Sequence, residues 1–197
     1  MSFIKASAIG PLTGLGASSN TATIVDPATP ASGSATLSPL VSFAALSAPQ
    51  GASIDFIGIP SWAKRVSLVL SGVSTSSTSQ VIAQIGSGSI VSSGYTFYLS
   101  YSGGATQTSG SNSTTGFLFD ANISGNAASL RNGIFTFINI SSNTWVCNLS
   151  GSLNTSGSYF ACVGSGYLAL SGALDRVRLT TNGADTFDAG TVNVFYE

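Results

Sequence analysis

The chain has 197 residues, 43% hydrophobic and only 7% charged, and its six basic and seven acidic side chains leave a net charge of −1. A soluble domain ordinarily carries about 25% charged residues; here Ser, Thr, Gly, Asn and Ala take their place. The near-neutral balance excludes a basic stripe for nucleic acid and a polybasic patch for anionic lipid, and the hydrophobic content excludes wholesale disorder.

The length suits one β-sandwich with an appended segment. Residues 1–50 form that segment, because Pro11, Pro27, Pro30, Pro39 and Pro49 fall there and only Pro60 lies beyond. Proline donates no backbone hydrogen bond and interrupts ladders, which predicts an extended arm. Its apolar spots, Ile24-Val25 and Leu40-Val41-Ser42-Phe43, are expected to pair with a partner or to lie along the body. Residues 1–16 hold one Lys and are broken by Gly10, Pro11 and Gly14, so they lack a signal-peptide core and synthesis in a cytoplasm is expected. No stretch approaches the roughly 20 apolar residues that span a bilayer, and no membrane insertion is expected.

From residue 51 onward, short apolar runs alternate with turn clusters. Strands are predicted at 54–59, 65–73, 80–85, 96–101, 116–120, 133–140, 144–149, 158–163, 167–170, 175–180 and 191–196. Val66-Ser67-Leu68-Val69-Leu70-Ser71 turns its even positions to a core, and in Val177-Arg178-Leu179 the arginine faces away. Period-two alternation is the mark of half-buried antiparallel strands, and turn signals every 8–12 residues or so predict a sandwich or barrel. Loops are predicted at 74–79, 87–94 and 103–115, and a short helical turn is allowed at 121–130. Phe97 and Tyr98 must point to opposite faces of their strand, so one aromatic is expected outside, at a subunit interface or against a sugar ring.

The chemistry of catalysis is thinly represented. There is no histidine, and with it go the commonest general base, the commonest metal ligand and every Ser-His or Cys-His nucleophile. Glu197 is the only glutamate. Asp185 and Asp188 are near enough in sequence to act as a glycosidase pair, yet Asn182-Gly183-Ala184-Asp185 is turn chemistry, in which an aspartate usually caps backbone. Gly86-Ser87-Gly88-Ser89 lacks the lysine of a phosphate loop and reads as a hairpin turn, as does Gly164-Ser165-Gly166. Asn112, Asn122, Asn139, Asn148 and Asn154 begin Asn-x-Ser/Thr sequons, which so Ser/Thr-rich a chain contains by chance. Cys147 and Cys162 flank the turn sequence Asn154-Thr155-Ser156-Gly157, so paired strands could set them face to face as a disulfide; cytoplasmic assembly favours two buried, reduced thiols.

Two stretches resemble a known family. Phe56-Ile57-Gly58-Ile59-Pro60-Ser61-Trp62-Ala63-Lys64-Arg65-Val66 is similar to the opening of a β-domain of phage and prophage tail-fibre and virion proteins, F-x-G-I-P-x-W-x-K-R-[IV]. Leu174-Asp175-Arg176-Val177-Arg178-Leu179-Thr180-Thr181, then Asp185-Thr186-Phe187-Asp188-Ala189-Gly190 and the closing Tyr196-Glu197, resemble that domain's ending. Gly94-Tyr95 and Ser142-Asn143-Thr144-Trp145 also fit. The resemblance spans residues 51–197, leaves out the arm, and assigns no catalytic role to these residues. In physical terms Gly58 and Pro60 shape a bend, Trp62 is expected to cover one end of the core, and Lys64 or Arg65 is expected to meet Asp175, Asp185 or Asp188.

The expected fold is therefore all-β, an antiparallel jelly-roll-like β-sandwich over residues 51–197 with an extended arm over 1–50. The expected function is that of a virion structural protein, a tail-fibre or tail-appendage component. It is not expected to be an enzyme, and no catalytic, cofactor-binding or metal-binding residue and no cofactor are expected. The expected partners are two further copies in a homotrimer, other virion proteins through the arm, and a host surface glycan, with no nucleic acid. A capsid decoration protein is the structural alternative, and a carbohydrate-binding module the alternative from another class. The expected location is the virion, assembled in the host cytoplasm.

Overall fold

A computed structural model describes residues 20–24, 33–37, 40–47, 51–103, 107–120 and 127–197, in two compact units divided between Pro39 and Leu40. In the first unit, β1 (Asn20–Ile24) and β2 (Gly33–Leu37) pair antiparallel, with Ala22 opposite Ala35. The segment expected to be wholly extended thus contains a two-stranded ladder.

The second unit holds β3 (Val41–Ser42), β4 (Leu46–Ser47), β5 (Ser53–Ile57), β6 (Arg65–Thr75), β7 (Val81–Ser87), β8 (Ser89–Ile90), β9 (Thr96–Gly103), β10 (Gln107–Ser113), β11 (Phe117–Leu118), β12 (Leu130–Ser141), β13 (Thr144–Thr155), β14 (Ser158–Ala169), β15 (Arg176–Thr181) and β16 (Phe187–Tyr196). They form a nine-stranded sheet, β10-β9-β14-β13-β12-β6-β16-β3 with β4 also on β16, and a five-stranded sheet, β11-β7-β15-β5 with β8 also on β7. Every pairing is antiparallel. The chain crosses between sheets at β5 to β6, β6 to β7 and onward. With the meander β12–β14 counted as a single strand, the orders 5-15-7-11 and 6-(12–14)-9-10 are those of a jelly roll, two Greek keys closed on each other. β16, β3 and β4 extend the large sheet beyond β6.

The alternation read from the sequence drives this packing. Leu68, Phe135, Phe137, Cys147 and Leu99 point inward from the large sheet, and Ile54, Phe56, Ala83, Ile85, Val177 and Leu179 meet them from the small one. Phe117 stands at the centre, edge-on to Tyr95 and Phe97 at 4.8 and 5.4 Å and tilted against Phe137 at 5.6 Å. Burial raises the Tyr95 phenol far above its ordinary pKa, and its hydroxyl, which donates to the Val91 carbonyl at 2.7 Å, stays protonated.

Several expectations need correction. Residues 41–47, counted with the arm, belong to the large sheet: Phe43 donates to the Val194 carbonyl at 2.9 Å. The stretch 103–115 is mostly strand β10, because hydroxyl-rich residues pair on an edge without needing a buried face. Runs 158–163 and 167–170 are one strand, β14, and Gly164-Ser165-Gly166 is its middle, not a turn. A Cβ at Gly164 would stand 2.5 Å from the Phe97 ring, so that glycine is there to let an aromatic lie across the strand. The turn at Ser156-Gly157 is a hairpin as expected, both residues having positive φ, +50° and +83°. The helical turn allowed at 121–130 lies largely outside the described residues.

Candidate interaction face

The two stretches that carry the family resemblance meet in space. Residues 58–64 form the corner that carries the chain from β5 in the small sheet to β6 in the large one. Gly58 (φ +96°) and Ile59 both donate to the Asp175 carbonyl, at 2.9 and 3.0 Å, and Lys64 and Arg65 both donate to the Glu197 carbonyl, at 2.7 and 2.9 Å. The opening motif is thus sewn at both ends to the closing one. Ile59 and Ala63 enter the core, whereas Trp62, expected to be buried, is 44% exposed. It packs instead, tilted, against Tyr196 at 5.7 Å, which meets Phe43 at 5.6 Å, which meets Phe56 at 5.7 Å. The expected contact of Lys64 or Arg65 with Asp175, Asp185 or Asp188 is not formed; Arg65 pairs with Glu197.

Most charges of the body are held in ion pairs. Arg178 grips Asp55 through two bonds of 2.6 and 2.7 Å on the small sheet, and Arg176 grips Asp175 at its end. That guanidinium holds the Asp175 carboxyl below its ordinary range. Arg131 and Asp120 pair inside the sandwich with no exposure. Asp185 accepts the Ser79 amide at 2.6 Å and Asp188 accepts the Ser74 hydroxyl. The aspartate thought to cap its own turn therefore caps a neighbouring loop. Among the described residues no three His, Cys, Asp or Glu gather in a group that could hold a metal.

Cys147 lies opposite Gly166 and Cys162 opposite Gly151, so the two thiols are four positions apart along β13, roughly 13 Å. That separation is beyond disulfide reach. Both thiols are free and buried, and burial pushes the Cys162 thiol up to about 12.

What this leaves on the outer face of β9, β14, β13 and β12 is an array without a charge, bordered on β6 by the Arg65–Glu197 ion pair. No outward position of β9, β14, β13 or β12 carries Lys, Arg, Asp or Glu. Register sets the outward side chains in cross-strand rows. One row runs Thr96, Tyr167, Val146, Ile138 and ends at Arg65. The next runs Tyr98, Ser165, Asn148, Thr136, Ser67, Phe195. A third runs Ser100, Val163, Ser150, Ile134, Val69, Asn193. Apolar side chains stand exposed among hydroxyls and amides: Tyr98 is 60% exposed, Val163 55% and Ile140 61%. Phe97 goes into the core and Tyr98 out, which is the division expected of that strand.

Two shallow depressions mark the face. One, of about 420 Å3, lies where β6, β12 and β16 meet, floored by Val69, Ile134 and Phe195 and rimmed by Leu40 and the Arg65–Glu197 ion pair. The other, of about 430 Å3, lies between Ile140, Val146 and Tyr167. Over β9, β14, β13 and β12 the face exposes apolar groups without Lys, Glu or Asp, which is the composition of an interface core. Alternation told which residues face outward, but only the strand register shows that they line up. No family model, curated protein or solved structure matches the chain.

Proposed function

We propose that the protein is a structural subunit of a bacteriophage particle, a component of a tail fibre or other tail appendage, and that it assembles as a homotrimer through the outer face of the large sheet. The observation that carries the reading is the charge-free part of that face, on β9, β14, β13 and β12. A sheet surface left to water is ordinarily populated by Lys and Glu, and low net charge promotes association. A neutral array of hydroxyls, amides and aromatics meets a copy of itself without like-charge repulsion and without stranding an ion away from water.

The phage assignment and the number three come from the resemblance. The opening motif and two residues of the closing one, Asp175 and Glu197, build one corner, and the rest of the closing motif lies along β15 and at the far end of β16; their roles are in shape and stability. The subunit acts by holding its place and presenting its surface, and the exposed tyrosines that pack against a neighbour are also the side chains that would stack on a host sugar.

Sedimentation of the full chain at micromolar concentration tests the assembly, and immuno-electron microscopy of intact particles tests the location. A monomer contradicts the first part. Labelling of the capsid surface in place of the tail contradicts the second and favours decoration of the capsid by the same subunit.

A further inference from the structure

Gly110 is the middle residue of β10, the edge strand of the large sheet, and it has no positive φ that would call for a glycine. What a side chain there would meet is Tyr98. A Cβ on Gly110 would stand 2.5 Å from Tyr98 Cζ and closer still to the hydroxyl oxygen. The Tyr98 ring therefore lies flat across the edge strand, one side of it resting on the glycine. Phe97 lies on Gly164 in the same way, but inside, where the core closes over its other side. Tyr98 is outside and 60% exposed, so the second side of its ring is open to water.

Resting on the reading of the exposed tyrosines given above, we infer that this ring is a binding platform for a neutral glycan: a pyranose stacks on Tyr98 while Asn112 and Ser165 bond its hydroxyls. A pyranose turns C–H groups to one side and carries hydroxyls around its rim. The C–H side suits the electron-rich face of a phenol ring. The rim then asks for hydrogen-bonding groups beside the platform. Register sets Asn112 of β10 and Ser165 of β14 directly beside Tyr98, one on each flank, and both are exposed. A carboxamide both donates and accepts, so it can serve two neighbouring hydroxyls. Tyr167 stands on the next diagonal, about 7–8 Å away between Cα atoms, and beyond it the depression of about 430 Å3 offers the following sugar unit an apolar bed.

Two features favour a sugar over a second copy of the chain. The platform lies at the rim of the sheet, whereas the residues that carry an interface's energy cluster near its centre. Its immediate neighbours are a hydroxyl and an amide, which match a polyol and leave an apolar protein surface unmatched. The absence of charge selects among sugars. The row through Thr96 and Tyr167 meets its first charge at Arg65 on β6, four strand intervals or about 19 Å away. No cation is there to hold a sialic acid or a sulfate.

The test presents the full chain to an array of neutral oligosaccharides of hexoses, deoxyhexoses and N-acetylhexosamines, with sialylated and sulfated ones beside them, and titrates the strongest ligand by calorimetry. Neutral glycans are expected to bind. Tyr98→Ala is expected to weaken that binding about tenfold. Gly110→Ala keeps the tyrosine but lifts its ring off the strand, and is expected to weaken binding to a similar extent; the fold survives because the displaced atoms are the free end of a side chain. Tyr159→Ala, at an exposed tyrosine far along β14, is expected to change nothing. An array without a neutral ligand, binding confined to acidic glycans, or undiminished binding by Tyr98→Ala or Gly110→Ala overturns the inference. Sedimentation of the same variants separates it from the assembly. A Tyr98→Ala chain that no longer forms the wild-type oligomer gives the ring to the subunit interface and overturns the inference. A wild-type chain that binds neutral glycans as a monomer upholds it and contradicts the assembly alone.

Discussion

Arg131 donates from Nε to Asp120 Oδ2 at 2.7 Å with both side chains wholly shielded from water. The other carboxylate oxygen accepts the Val81 amide at 2.9 Å, and the Asp120 carbonyl accepts from Gln80 Nε2 at 3.0 Å. One ion pair thus ties the start of β12 in the large sheet to the start of β7 in the small one. Burial pulls the Asp120 carboxyl up, and the guanidinium and the Val81 amide pull it down. Removing either partner strands the other charge, so Asp120→Asn and Arg131→Met should each cost about 3–5 kcal/mol. The double change Asp120→Leu/Arg131→Met should cost less than either single one, since an apolar pair needs no solvation. Urea unfolding midpoints at constant m decide it; additive losses would remove the pair from this role.

Trp62 should behave as a half-exposed residue. Its contact with Tyr196 is worth about 1 kcal/mol, as aromatic pairs are, so Trp62→Ala should lower stability by about that and not by the roughly 3–5 kcal/mol of a buried aromatic. Acrylamide should quench Trp62 and spare Trp145, which is buried. Equal quenching of both tryptophans would contradict the exposure.

The thiols of Cys147 and Cys162 should be invisible to Ellman's reagent in the folded protein, both being buried with pKa values raised by burial. In urea, without reductant, two thiols per chain should react. A chain with none would hold a disulfide and require another register for β13 and β14.

Asp175 supplies a pH dependence of known sign. Its carboxyl is held below the ordinary range by Arg176 and by the Gly88 amide. A depressed folded-state pKa contributes stability that is present above the unfolded value, about 3.9 for Asp, and is lost as pH falls through the folded one. Asp175→Asn should therefore lower the melting temperature at pH 7 and leave it nearly unchanged at pH 2. The effect is small because the pair is half in water. An equal loss at both pH values would assign Asp175 a role other than its charge.

Most of the sandwich was legible because period-two patterns such as Val66 to Ser71 survive any register. What escaped depends on distant partners. β10 has no apolar face to announce it, and its strand character comes from β9 alongside. Gly164 looks like a turn until Phe97 is seen to lie over it. Trp62 was expected inside because aromatics after a proline bend often are, yet Ile59 and Ala63 take the core positions and the indole finds Tyr196 at the surface. The sequence offers Arg65 several aspartates as partners, whereas the β6–β16 pairing brings Glu197. The uncharged face was half visible: a chain with so few charges must have a surface without them, but which surface is decided by register alone.

The oligomeric state of the full chain is the most direct test. Sedimentation velocity at micromolar concentration should show one species of three times the 19.8 kDa chain mass, and Val69→Arg should reduce it to the single chain with its strand spectrum intact. A wild-type chain that sediments as a monomer across the micromolar range would contradict the account.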